Sequence, residues 1–256
     1  MSPPIVDLSD PEAVKRELLD EDAVVRAEFA AHLDDELTAL AGALAVCFRL
    51  IPALNAAANQ AETMQTALVT AFAYGVLDDI VTSTKLLFAG KLPASGNLMR
   101  QAVEGIAMSF LCSADAPLII KKNKNQPPVT ARYWQKVDDD DHRTQGHKAI
   151  EQLEWNVGTL GVSGGAVANM RTAMKHYNAY SHCGKLTIAS RVALEQVGTA
   201  YVGGHFDPAK LDAYRGEMNQ RIGLCRVLPP FLEHLLATMN PHAKPGTEVE
   251  AKETFE

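Results

Sequence analysis

The chain has 256 residues, 47% of them hydrophobic, and a formal net charge of −7. That length is ample for a buried core. The acidic balance argues against a surface that tracks a nucleic-acid backbone throughout, because such surfaces carry a surplus of Lys and Arg. The four cysteines, Cys47, Cys112, Cys183 and Cys225, lack metal-type spacing, which predicts reduced thiols in a cytoplasmic protein and speaks against a Cys-based zinc site. Residues 1–12 are acidic and do not place a basic region before an apolar run, so no secretory leader is expected.

Ala, Leu, Met, Gln and Glu dominate long stretches. Sustained alternation and hairpin dipeptides are missing, which predicts an all-α multi-helix bundle. Residues 1–240 read as a single helical domain. A short helix is expected over 11–20, with Asp10 as its cap and Pro11 at its first position. A long helical region follows over 22–59, which Pro52 should kink or end. Its most apolar part, 37–58, is interrupted by Arg49 and Pro52 and so reads as a core helix, with no role in a membrane.

The next helix, 61–89, sets Leu68, Phe72, Val76, Ile80 and Leu87 on one face and stops at Gly90; Asp79 projects into its apolar arc while Asp78 points away. Residues 94–112 carry a stripe of Met99, Val103, Ile106 and Phe110, flanked by the i, i+4 pair Arg100 and Glu104. Residues 114–141, with KKNKNQPP and DDDD, read as a long loop or insertion. Helices are then expected over 142–160, 165–183, 186–197 and 208–240, the last bent at Pro229 and Pro230. Residues 241–256 read as a charged disordered tail.

Residues 155–194 contain no Asp or Glu, and their only Lys and Arg are Arg171, Lys175, Lys185 and Arg191. On a helix, Arg171, Lys175, Asn178 and His182 fall within about 60° of one another. That row of donors suits an anion, most simply a phosphate. A second basic patch, Lys121, Lys122, Lys124, Arg132 and Lys136, precedes Asp138 to Asp141 and reads equally well as a solvated loop of mixed charge. Gly164 and Gly165 open the 165–183 helix and could leave backbone N–H groups for an anion, although a plain helix start has the same look.

Asp78, Asp79, Glu104, His142, His147 and Asp138 to Asp141 offer metal-ligand types. They lack both the Glu-x-x-His spacing of di-iron bundles and an HExxH pair, so no metal and no cofactor are expected.

The segment MKHYNAYSHCGKLTIASR, residues 174–191, sets a polar or aromatic residue a turn before a His, then a small residue and Gly, then a base and another helix. It resembles the last motif of the HEPN superfamily of nucleotide-binding helical proteins, and KLLFAGKLPASGNLMRQAVEGIAMSFL upstream is similar to bacterial relatives of that group. The resemblance covers about half the chain. It implies a metal-independent endoribonuclease, or an RNA- or nucleotide-binding protein, of the kind found in toxin and phage-defence systems, acting as a homodimer with the 165–183 helices near its dyad and with a partner protein such as an antitoxin.

The motif of catalytic members, Arg followed by four to six residues and then His, matches Arg171 and His176 here. His176 nevertheless lies about 140° around the helix from Arg171, whereas His182 lies within about 20°. Either imidazole could move the protons of RNA cleavage. Arg171 and Lys175 would hold phosphate with Lys185 and Arg191, and Asn178 would position imidazole or ribose. Arg100, Glu104 and Asp79 form either an ion-pair network that fixes packing or a support for that site. The alternative to catalysis is a helical scaffold or interaction module.

Overall fold

The computed structural model describes residues 9–195 and 198–239, and it is mostly helical, as the composition requires. Asp10 caps α1 (Pro11–Leu18), its carboxylate accepting from the backbone N–H of Glu12 and of Ala13 at 3.2 Å each. α2 (Ala23–Ala61) is continuous through Pro52; its one non-helical residue is Leu33 (φ −128, ψ 25). The expected break at Pro52 is therefore absent. Pro52 and Phe48, whose carbonyl loses its donor to the proline ring, are both exposed, so water can serve that carbonyl. The reading of 37–58 as a core helix holds for one side only: α2 is long and apolar enough to cross a membrane, and 22% of its most apolar stretch is buried.

Thr63 caps α3 (Met64–Phe88), and Gly90 (φ +71) turns the chain into α4 (Leu92–Ser113). These two helices form the most extensive pairing in the molecule. α4 then packs on α8 (Gly164–Ser181) and α6 (Gly146–Trp155), while α10 (Leu211–Met239) lies along α2. The core runs through all of these elements, from Phe29 and Leu33 on α2 through Met99 and Val103 on α4 to Met218 and Leu235 on α10. Phe110, at the margin of its stripe, packs against Phe231 with ring centroids 5.0 Å apart.

The 114–141 region is more ordered than a long loop. β1 (Leu118–Lys121) and β2 (Val129–Ala131) pair antiparallel, and α5 (Tyr133–Asp138) follows. A four-residue strand is too short for alternation to show, and side chains supply what its sequence does not signal. The Asn156 amide accepts from Ile119 N at 2.9 Å and donates to Ile119 O at 3.0 Å, acting as a partner strand; Gln152 donates to Ile120 O at 2.8 Å and accepts from the Tyr133 hydroxyl at 2.7 Å. For the same reason the expected 142–160 helix is interrupted: Asn156 separates α6 from α7 (Val157–Leu160).

α9 (Lys185–Ala189) is shorter than the 186–197 helix expected, because the chain turns at Ser190 and Val192 bridges to Ala200. A 3-10 turn at Pro208–Lys210 leads into α10, which runs through Pro229 and Pro230. The tail expected over 241–256 lies outside the described residues.

α4 and α8 approach closely at Gly96, where a Cβ would stand 2.3 Å from the Tyr180 ring. Gly96→Ala should therefore overpack this contact and lower stability by about 2 kcal/mol or more, measured by urea unfolding. An unchanged midpoint would mean that the two helices are not held this tightly.

Candidate functional site

The polar centre of the bundle is Arg221, which is 0% exposed. Its Nη1 donates to the Glu217 carbonyl at 2.7 Å and to Glu217 Oε2 at 3.0 Å, and its Nη2 donates to Ser83 Oγ at 2.8 Å and Ser95 Oγ at 2.6 Å. Ser83 Oγ in turn donates to the Ser95 carbonyl at 2.8 Å, and Ser95 Oγ to the Ser83 carbonyl at 2.7 Å. Each hydroxyl thus spends its proton across the α3/α4 contact and offers its lone pairs to the guanidinium. Glu217 is pulled between opposing effects. Burial raises its pKa, but His176, Arg221 and Tyr180 together outweigh burial and hold it below its ordinary value.

The other Glu217 oxygen, Oε1, meets His176 Nε2 at 2.8 Å and accepts from the Tyr180 hydroxyl at 2.8 Å. The His176 side chain is 47% exposed, and the edges of the Tyr177 and Tyr180 rings face it at centroid distances of 4.9 and 5.7 Å. The hydrogen bond to Glu217 raises the imidazole pKa more than burial lowers it. The stabilisation from this pair is thus fully present below about pH 6.5 and is lost as pH rises through the elevated folded value. The result is a surface imidazole fixed through one nitrogen by a carboxylate that is itself anchored on a buried arginine. Such a group can deliver or take a proton at its other nitrogen.

The expected row of donors is only partly assembled. Arg171, Lys175 and Asn178 share an exposed side of α8, but the helix ends at Ser181 and His182 is extended (φ −120, ψ 145), so His182 does not continue that side. The reason is local: Gly184 and the five-residue α9 turn the chain, and Thr187 Oγ1 donates to the His182 carbonyl at 2.8 Å. Arg171 is paired with Glu154, both side chains about half exposed. Lys175, Lys185 and Arg191 are exposed and have no ion-pair partner among the described residues.

Arg100 and Glu104 form the expected pair at 3.0 Å, and Glu104 lies against the backbone of Gly146 at the start of α6, where a carboxylate complements the helix dipole. Asp79 does not join this pair, and neither carboxylate orients an imidazole; Glu217 does that.

Glu217, Arg221, Tyr180, Ser83 and Ser95 were not among the residues singled out from sequence. A signal for two of them exists. On α10, Tyr214, Met218, Ile222 and Cys225 form the buried stripe, and Glu217 and Arg221 fall within it four residues apart. Charges inside an apolar stripe must be paired. Among the described residues, no group of three His, Cys, Asp or Glu is placed to hold a metal ion.

No family model matches the chain, and comparison with curated proteins and with solved structures gave no match.

Burial, and after it the neighbouring Asp78, pushes the Asp79 carboxyl up to about 6. A carboxyl whose folded pKa is raised binds more protons folded than unfolded, so stability falls as pH rises from about 4 to about 6. Asp79→Asn should therefore stabilise the protein by about 1 kcal/mol at pH 7 and by little at pH 4, measured as the unfolding midpoint at both pH values. A loss of stability at neutral pH would show that Asp79 has a favourable partner.

Proposed function

We propose that this chain is a HEPN-like, metal-independent endoribonuclease whose proton-transfer group is His176. The observation that carries the reading is the half-exposed imidazole held through Nε2 by Glu217, with Arg221 fully buried behind it. A raised pKa favours the imidazolium, so His176 suits the general acid that protonates the leaving 5′-oxygen as the 2′-hydroxyl, giving up its proton to water, attacks phosphorus and the P–O5′ bond breaks. Lys175 is the nearest unpaired cation along α8, and Lys185 and Arg191 extend the positive surface beyond the helix end. The Arg171–Glu154 pair is solvent-exposed and so worth at most about 1 kcal/mol, and a phosphate can displace Glu154. RNA or a nucleotide is the ligand, and a homodimer with an antitoxin-like partner follows from the same resemblance.

A second reading, a non-catalytic scaffold or interaction module, is favoured by one observation. Arg171 is already engaged by a carboxylate, and it lies on a different side of α8 from His176.

Incubating the purified full chain with a mixed RNA pool in EDTA separates the two. The nuclease reading expects fragments with cyclic phosphate ends, a fall of about 100-fold or more in His176→Ala and retained cleavage in His182→Ala. Glu217→Gln should move the pH profile as well as the rate. No cleavage by folded protein supports the scaffold, and loss in His182→Ala alone would place the chemistry at the other imidazole.

A further inference from the structure

The two basic stretches of the sequence that lack acids, 116–137 and 155–194, are separated along the chain by the acid-rich 138–154. The fold sets them side by side. Asn156 closes both hydrogen bonds on Ile119, which brings the end of α6 against β1, and Lys122, the first residue past β1, places its Nζ over the Trp155 ring at 5.2 Å from the centroid. One residue back on α6, Glu154 holds Arg171 of α8. Lys122, Trp155, Arg171 and Lys175 thus follow one another across elements that pack in the order β1, α6, α8.

The indole and the lysines at this junction are spare. Trp134, the other tryptophan, packs against the core; Trp155 is half-buried and does not. Lys121, Lys122 and Lys124 are exposed and have no ion-pair partner among the described residues. Of the acids on α6, Glu154 is held by Arg171 and Glu151 reaches none of these lysines. Unpaired ammonium groups crowded on a hairpin tip repel one another, and a run of phosphates relieves that repulsion. An aromatic face among cations fits a ligand that alternates planar rings with negative charge, which is a single nucleic-acid strand. A duplex hides its ring faces in its own stack, and an acidic peptide or inorganic phosphate leaves the indole unused.

We propose that Lys122, Lys124 and Trp155 form a platform for single-stranded RNA, with one base stacked on the indole, the phosphates on the lysines, and the strand running on over Arg171 and Lys175 to His176. The inference rests on the endoribonuclease reading for the strand's destination, and it adds the place where the strand is gripped. A stacked base gains more than an ammonium does over an exposed ring, so the base takes the place of Lys122 on the indole and frees that ammonium for phosphate. Phosphate likewise draws Arg171 away from Glu154. Thr172, small and exposed, lies between Arg171 and His176 around α8, about 100° from the first and about 40° from the second, so the route to the imidazole is open.

Titration with oligouridylate tests the platform, on the full chain carrying His176→Ala so that the strand stays whole. Stacking on Trp155 should quench the indole fluorescence to a saturating level. Trp155→Ala should abolish the quench and weaken binding, read by anisotropy of a labelled strand, by about tenfold or more, and Trp155→Phe should recover most of the affinity. Lys122→Ala with Lys124→Ala should make the slope of log affinity against log salt shallower by about 1.4. Circular dichroism checks that each variant is folded, and both lysines are exposed, so their replacement leaves the fold intact. A missing quench, a quench that persists in Trp155→Ala, an unchanged salt slope, or tighter binding of duplex than of single-stranded RNA would overturn the proposal. Cleavage by wild type in EDTA is read separately: a quench without cleavage keeps the platform and removes the nuclease, and cleavage without a quench does the reverse.

Discussion

A guanidinium with no exposure is the constraint around which this bundle is arranged. Isolated, such a charge would cost several kcal/mol in desolvation. The chain meets that cost from three directions: Glu217 one turn away on the same helix, and Ser83 and Ser95 on the two helices that face it. The serines can serve only because each has already donated to the other's carbonyl. One cation thereby fixes how α3, α4 and α10 meet. Glu217, with one oxygen on Arg221 and the other on His176 and Tyr180, carries the same constraint outward to α8.

Similar buried polar devices hold the parts of the chain that lack a long apolar face. Asn156, Gln152 and Tyr133 dock the hairpin. At the other end, the nearly buried Lys210 donates to the Val192 carbonyl at 2.6 Å and to the Ser190 carbonyl at 3.3 Å, while Asp207 accepts from Leu194 N at 3.2 Å. His205 stacks on Tyr201 at 4.0 Å, and burial, assisted by Lys210, pushes its pKa down to about 4, so it sits neutral beside the ammonium. Irregular backbone that is tied by side chains needs satisfied hydrogen bonds more than it needs apolar area.

The helical elements were legible because their signals are local. Asp10 and Pro11 announce α1, and the stripe through Met99, Val103 and Ile106 announces α4. Polar side chains reaching across the chain were not legible. The strand at Leu118 depends on an amide 37 residues away, and the partner of His176 lies 41 residues downstream. Helical projection placed Arg171, Lys175 and Asn178 on one side of α8, as they are, but it carried the helix two residues too far, to 183, and so gave His182 a place on a wall it does not share. His176, the imidazole off that wall, is the one the fold holds in position.

The account's central claim is that the buried arginine keeps Glu217 ionised beneath His176 and so keeps the imidazole protonated above its ordinary range. The most direct measurement is an NMR titration of the His176 ring in wild type and in Glu217→Gln, with the amide spectrum reporting that both are folded. The account predicts a wild-type pKa above about 6.5 that falls towards that value in the variant. A wild-type value at or below it, or one that Glu217→Gln leaves unchanged, would contradict the account.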